Sequence, residues 1–363
     1  MVLFQFTTNG VLLRPMNITN LLMQQSYILI MAMGMLVVIV TGYVDLSIGS
    51  VVAATGAFSA VLMIDNKMSV AAGVVLVLLL GVLIGAGHGF FISVVDIPPF
   101  IVTLAGMLIY RGACQVILRG ETKARFPEIF RNITTGYLSY KVFNIEIISI
   151  ILGAAVILFL IYSEFRDRRS KQKYNLVVQP LQFAIAKLAI ISAFVVFLTY
   201  ALSNYNGIPI IFVIVVVLAC LYTFILKNTI VGRHIYAVGG NQIAARLSGI
   251  NVKKIKFIAF TNMGLMSALA GLAFAGRTDS ATPRAGVGYE LDAIAACYIG
   301  GASTSGGIGT IVGGIIGAMV IGILNNGMSI MGMPIDWQNI VKGLVLIAAV
   351  CFDLYAKKRS TAA

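Results

Sequence analysis

An all-α, polytopic membrane protein of about nine to ten transmembrane helices, some broken or re-entrant, is the fold class this sequence predicts. Of 363 residues, 59% are hydrophobic and only 11% charged, and mean hydropathy is +0.97. A soluble domain carries roughly a quarter charged residues. Apolar runs of membrane-crossing length recur from end to end, with no polar block large enough for a separate domain. The expectation is therefore one transmembrane domain over residues 1–363. The net charge of +13, from 26 Lys+Arg against 13 Asp+Glu, would raise nucleic-acid binding in a soluble protein. Here the basic residues collect in short loops between apolar runs, as topology signals do. The expected surrounding is a lipid bilayer, with no nucleic-acid partner.

A spanning helix needs roughly 20 mostly apolar residues. In chain order the runs fall at 21–40, 46–64, 69–95, 99–118, 145–163, 182–202, 208–226, 255–276, 308–331 and 338–356, with a shorter piece at 291–300 that reads as a half-helix. Orientation follows from three basic stretches. Residues 164–173 (EFRDRRSKQK) hold five basic residues, 227–256 hold six Lys/Arg and no acid, and the tail carries Lys357, Lys358 and Arg359. Placed in the cytoplasm, they put 204–207, 277–289 and 331–336 outside. Residues 119–144 resist: pass counting puts them outside, yet they carry Arg119, Lys123, Arg125, Arg131 and Lys141 against Glu121 and Glu128.

Glycines at 81, 85 and 89 and at 309, 313 and 317 fall four apart. Such stripes predict packing seams, because backbone approach rather than hydrophobicity drives helix association in lipid. No internal repeat stands out.

Catalytic chemistry finds no support. There is no Gly-Lys dipeptide, hence no phosphate-binding loop and no expectation that this chain hydrolyses ATP. Cys114, Cys220, Cys297 and Cys351 are scattered, and His88 and His234 lack metal-ligand or triad spacing, so no metal or cofactor is expected. Residues 2–6 are too short for a signal-peptide core.

Acids inside apolar runs say more, since a charge at bilayer depth costs from ~2.5 kcal/mol upward and is seldom left facing lipid. Asp45 sits in a polar, glycine-bearing break between two runs. There it can cap the next helix, with Ser47 and Ser50 near the start, or border a transport path, as broken helices often do. Both readings stay open. Glu290 and Asp292 open the half-helix, complementing its dipole, and it runs into 300–309 (GGASTSGGIG), a turn that permits sharp reversal. Such irregular backbone is tolerated only inside protein or against water. Asn325 and Asn326 in the next run are either pathway groups or interhelical glue. The loop 227–256 is the strongest functional signal: Gly239, Gly240 and Asn241 form a turn capping a short helix at 242–247, ended by Gly249. A short helix in a tight cytoplasmic loop suits a partner's groove.

Here the chain resembles the permeases of ABC-type importers for ribose, xylose, galactose and related monosaccharides. The resemblance rests on 42–50 (GYVDLSIGS), 99–107 (PFIVTLAGM), 239–250 (GGNQIAARLSGI), 289–296 (YELDAIAA), the turn up to Gly309, and 337–343 (WQNIVKG), in family order. It implies an all-α permease in the bacterial cytoplasmic membrane, working as a pair over two ATP-binding cassette subunits and receiving sugar from an extracytoplasmic binding protein. Ala244, Ala245 and Gly249 look like the Ala-Ala-x-x-x-Gly part of the importer coupling motif, which makes them the expected docking surface. The glutamate that begins that motif elsewhere is Ile243 here. The basic insert after residue 163 looks most like the xylose and multiple-sugar branch. Family members usually carry a further apolar helix before the stretch matching residues 17–22. Only 2–6 stand in that place, so the expectation is a chain lacking most of that first helix. The rivals are an ion-coupled secondary transporter with Asp45 as its carboxylate, a non-transporting scaffold, and an importer for nucleosides or an autoinducer.

Overall fold

The structure, a computed structural model, describes residues 2–142, 145–174 and 180–361. It is helical throughout, in the order α1 (Val2–Thr7), α2 (Pro15–Val40), α3 (Ile48–Ala60, prolonged by a π-turn over Val61–Asp65), α4 (Val70–Ser93), α5 (Pro99–Leu118), α6 (Glu128–Thr135), α7 (Ile147–Lys173), α8 (Leu181–Ser203), α9 (Ile210–Asn228), α10 (Ile230–Gly240), α11 (Gln242–Leu247), α12 (Val252–Thr278), α13 (Tyr289–Ile299), α14 (Ile311–Ile330) and α15 (Ile335–Thr361). Among the described residues nine helices are long and apolar enough to cross a membrane. The tenth predicted run, 338–356, lies within α15. Proline sets several starts: Pro15 and Pro99 occupy the first helical position, and Pro127, Pro180 and Pro209 stand at the N-caps of α6, α8 and α9. There the missing N–H costs nothing and φ is already helical.

Strand pairing is confined to two-residue bridges that tie loops together. Lys123–Ala124 pairs with Ser280–Ala281 and Tyr137–Leu138 with Ile208–Pro209. These bridges gather the loop 119–144 (residues 143 and 144 lie outside the described residues) with the loops before α9 and after α12. The basic loop whose charge argued for the cytoplasm thus shares an end with segments expected outside. Local partners account for two of its charges: Lys123 pairs with Asp65, and Arg131 lies 3.7 Å from Asp279.

α12 is the central post, packing against α4, α2 and α3. The first glycine stripe is its seam. A Cβ at Gly81 would strike Ala268 and the Gly264 carbonyl, at Gly85 the Phe260 and Thr261 carbonyls, and at Gly89 Phe257. Backbone-to-backbone approach of this kind is what holds helices together where lipid is as apolar as leucine. The second stripe is shorter than its spacing suggests. Gly313 and Gly317 seat α14 on Gly300 and Ala296 of α13, while Gly309 precedes the helix and abuts Leu36 and Val40.

Candidate translocation path and partner-docking helix

Two breaks in regular structure define the candidate path. The first separates α2 from α3. Gly42, at φ +89°, turns the chain out of α2, a conformation that a Cβ disfavours. Asp45, only 2% exposed, then accepts from the Ser47 amide at 2.8 Å and the Ser47 hydroxyl at 2.6 Å through Oδ1. That differs from a helix cap, because Ser47 is itself the residue before the first turn, so the carboxylate fixes the break rather than the helix. Ser50 is buried, and its hydroxyl has no partner among the described residues. Oδ2 of Asp45 lies 4.0 Å from His88 Nδ1 on α4. The far edge of that imidazole fills the space a Cβ at Gly106 would need.

The second break lies between α12 and α13. After the bridge at Ser280–Ala281, the chain dips back among the helices, held by Arg111 of α5, which donates to the carbonyls of Pro283 (3.4 Å) and Ala285 (2.5 Å). Gly286 and Gly288, at φ +70° and +79°, complete the turn into α13. Gly286 packs directly on Gly49, and Glu290 touches the same glycine. The starts of α3 and α13 therefore face each other through two residues without side chains. Both present the positive ends of their dipoles to one region.

Glu290 and Asp292 do stand in the first turn of a half-helix. Asp292, 7% exposed, pairs with Lys342 Nζ of α15 at 3.1 Å and lies beside Asn325 of α14. Tyr289 stacks on Tyr27 of α2 at 5.0 Å, and Phe274 meets both rings edge-on. Asn326 turns away from this group and exchanges amide hydrogen bonds of 2.9 and 3.1 Å with Asn17 at the start of α2. The sequence reading missed Tyr27, Arg111 and Lys342. The same rule that picked out Asp45, a charge within an apolar run, finds Arg111 and Lys342 when it is applied to bases.

After α13 the glycine-rich turn folds back beneath α2. The Gly307 amide donates to the Val40 carbonyl at 2.8 Å, and Gly306 and Gly307 lie on Gly42, Gly239 and Gly240. Gly239 and Gly240, expected in a turn, form the last turn of α10 instead. Gly239 is small because α2 presses on it: a Cβ there would collide with the Val40 carbonyl, whereas one at Gly240 would meet open space. Asn241 then caps α11 as expected, accepting from the Ile243 and Ala244 amides at 3.0 Å each. Gly249, at φ +83°, ends the helix.

Exposure divides the expected docking residues: Ala244 and Gly249 are exposed and Ala245 is not. Ala245 is only 4% exposed, turned into the permease, whereas Ile243 and Leu247, at 75% and 84%, stand on the opposite side with Ala244 and Arg246 also exposed. The spacing of Ile243 and Leu247 puts them on one helical face. Three links run inward from this region: Gln242 Nε2 to the Tyr43 hydroxyl (2.8 Å), Tyr236 Oη to the Gly309 carbonyl (2.7 Å), and Lys256 over the Tyr43 ring (5.1 Å). Among the described residues, no group of His, Cys, Asp or Glu is placed to hold a metal ion.

Comparison with known proteins agrees with this layout. The family described as branched-chain amino acid transport system / permease component matches residues 17–165 and 172–350. The xylose transport system permease protein of Haemophilus influenzae is 40% identical over 360 residues, 99% of this chain and 94% of that protein. The protein of the same name in Escherichia coli K12 is 37% identical over 99% of this chain and 90% of its own length. The ribose import permease protein of Haemophilus influenzae is 36% identical, covering 93% of this chain and 85% of that protein. No solved structure matches. The chain is a multi-pass membrane protein that belongs to the family of branched-chain amino acid transport system / permease components.

Proposed function

We propose that this chain is the membrane-spanning permease subunit of an ATP-driven importer for a monosaccharide of the xylose or ribose type, working in the bacterial cytoplasmic membrane. The observation that carries the reading is the match, over 99% of the chain, to permeases named for xylose transport. The family description names amino acids, but the near full-length relatives name sugars. The architecture supports the same reading: a short exposed helix, α11, is hydrogen-bonded to the break between α2 and α3.

Read this way, the chain is one transport domain and not an enzyme. ATP is hydrolysed by a separate ATP-binding cassette subunit that docks on α11, with Gly239, Gly240 and Asn241 holding that helix, Ala245 anchoring it, and Gly249 ending it. An extracytoplasmic sugar-binding protein delivers the solute, and a second copy of the chain completes the pore. Asp45, Ser47, Glu290, Asp292 and Asn325 border the path, while Asn326 holds α14 to α2. Reconstitution tests this directly. Liposomes holding the chain, its ATPase and its binding protein take up radiolabelled pentose only with internal or external ATP on the ATPase side. Uptake by the chain alone, driven by a proton or sodium gradient, would sink the proposal.

A further inference from the structure

Three buried polar atoms around the head of α13 have no hydrogen-bond partner among the described residues: Arg277 Nε, Glu290 Oε2 and Asn325 Oδ1. Left without a partner, a buried polar atom costs about 1–3 kcal/mol. They comprise one donor and two acceptors. A hydroxyl group donates and accepts at once, so a ring bearing several hydroxyls satisfies both kinds. The charges nearby favour an uncharged ligand. Glu290 and Asp292 are matched in number by Arg277 and Lys342, while Arg111 donates its guanidinium to the carbonyls of Pro283 and Ala285. An anion would confront two carboxylates and a cation two bases, whereas a neutral solute meets neither penalty. Tyr27, Phe274 and Tyr289 supply an aromatic wall at the same place, and aromatic walls with a few convergent polar groups are the usual make-up of small-molecule sites. The C–H face of a sugar ring suits such a wall.

We infer that the chain itself holds a low-affinity binding site for a neutral polyhydroxylated ring at the head of α13, formed by Tyr27, Arg277, Tyr289, Glu290, Asp292, Asn325 and Lys342. The inference rests on the importer reading and adds a solute contact within the membrane domain. Asp292 and Lys342 are held by each other, and each keeps hydrogen-bonding capacity for adjacent hydroxyls. The wall and the polar cluster come from α2, α12, α13, α14 and α15, so a rearrangement of α13 remakes the site.

The experiment uses the full chain in lipid nanodiscs, without ATPase or binding protein, and scintillation-proximity binding of radiolabelled xylose and ribose. Saturable binding is expected, competed by unlabelled pentose and not by a sugar acid such as gluconate. Lys342→Met and Asn325→Leu lower the affinity about tenfold or more, since each removes a buried hydrogen-bonding partner. Tyr27→Phe, which keeps the ring and deletes only a hydroxyl, gives a smaller loss in a protein that still elutes as a single species. Leu247→Asp, on the far docking face, keeps pentose binding and loses ATP-driven uptake. A wild-type chain that transports in the assembled importer yet binds no pentose alone overturns the inference and leaves the importer reading intact. Unchanged binding in Lys342→Met, Asn325→Leu and Tyr27→Phe also overturns it, and assigns the three unpaired atoms to ordered water. An assembled importer that moves no monosaccharide overturns the importer reading instead.

Discussion

Gln242 of the docking helix donates a hydrogen bond of 2.8 Å from Nε2 to the hydroxyl of Tyr43, which stands in the break between α2 and α3. Tyr43 is further held by Lys256 over its ring and by Phe260 of α12 beside it. A displacement of α11 by a docked partner therefore reaches Asp45, two residues on, without crossing any flexible segment. The break and the docking helix move as one body or tear this bond.

Gln242→Leu and Tyr43→Phe are each expected to lower uptake several-fold while leaving ATPase association intact. The double variant should be no worse than either single one, because both remove the same bond. The measurement is uptake per ATP hydrolysed in proteoliposomes. Additive losses would mean that the two side chains act separately.

The docking face gives a second test. Ile243 and Leu247 stand where a partner's apolar groove would receive them, so Leu247→Asp and Ile243→Asp should weaken ATPase association by roughly 10- to 100-fold, the range for burying an unpaired charge at an interface. Ala245→Arg should act differently. Ala245 is buried against the permease, so the variant loses stability before it loses affinity. Pull-down of the ATPase, read beside the melting temperature of each permease variant, separates the two effects. Equal melting temperatures for Ala245→Arg and the wild type would contradict the inward placement.

How much of this was legible in the sequence depends on which physical signal each element left. Long apolar runs gave most spans to within a few residues, since a lipid core imposes both length and composition, but α7 continues through the basic stretch 164–173 to Lys173. α11 was legible to the residue because Asn241 and Gly249 are local signals, a cap and a left-handed stop. Which of its residues face outward was not. Which side of a six-residue helix turns outward depends on α10 and α12 packing around it, and the family motif drew attention to the small residues rather than to Ile243 and Leu247. Lys342 was missed for another reason. Near a span's end a lysine reads as a snorkelling residue, and only the fold shows Asp292 in reach. The position of the loop 119–144 was legible from pass counting and obscured by charge. Asp65 and Asp279, which partner two of its basic residues, lie far away in sequence.

A third test concerns the contact between Gly49 and Gly286. Gly286 has φ +70° and a Cβ there would collide with the backbone of Gly49. Gly286→Val combines a left-handed strain of about 1–2 kcal/mol with overpacking of about 1–3 kcal/mol. It should fold poorly or melt several degrees lower. Gly288→Ala pays the strain alone, because open space surrounds that position, and should be milder. If Gly286→Val and Gly288→Ala melt together with the wild type, the two helix starts do not touch.

The fourth test addresses Asp45, the carboxylate on which an ion-coupled mechanism would have to depend. In the structure its work is geometric: one oxygen holds the Ser47 amide and hydroxyl, and the other faces His88. Asparagine keeps an oxygen that can accept from Ser47 but carries no titratable proton. Asp45→Asn is therefore expected to retain partial pentose uptake, down by about one order of magnitude or less, as for the loss of one charge-assisted hydrogen bond. Asp45→Leu removes both acceptors, leaves the Ser47 amide and hydroxyl unpaired, and should abolish uptake. The decisive measurement is initial uptake by wild type and Asp45→Asn at fixed ATP, with and without a protonophore. Neither rate should change when the gradient collapses. A wild-type rate that falls with the gradient, while Asp45→Asn shows only a low, gradient-independent rate, would move Asp45 from a structural hinge to a proton carrier and favour ion-coupled transport.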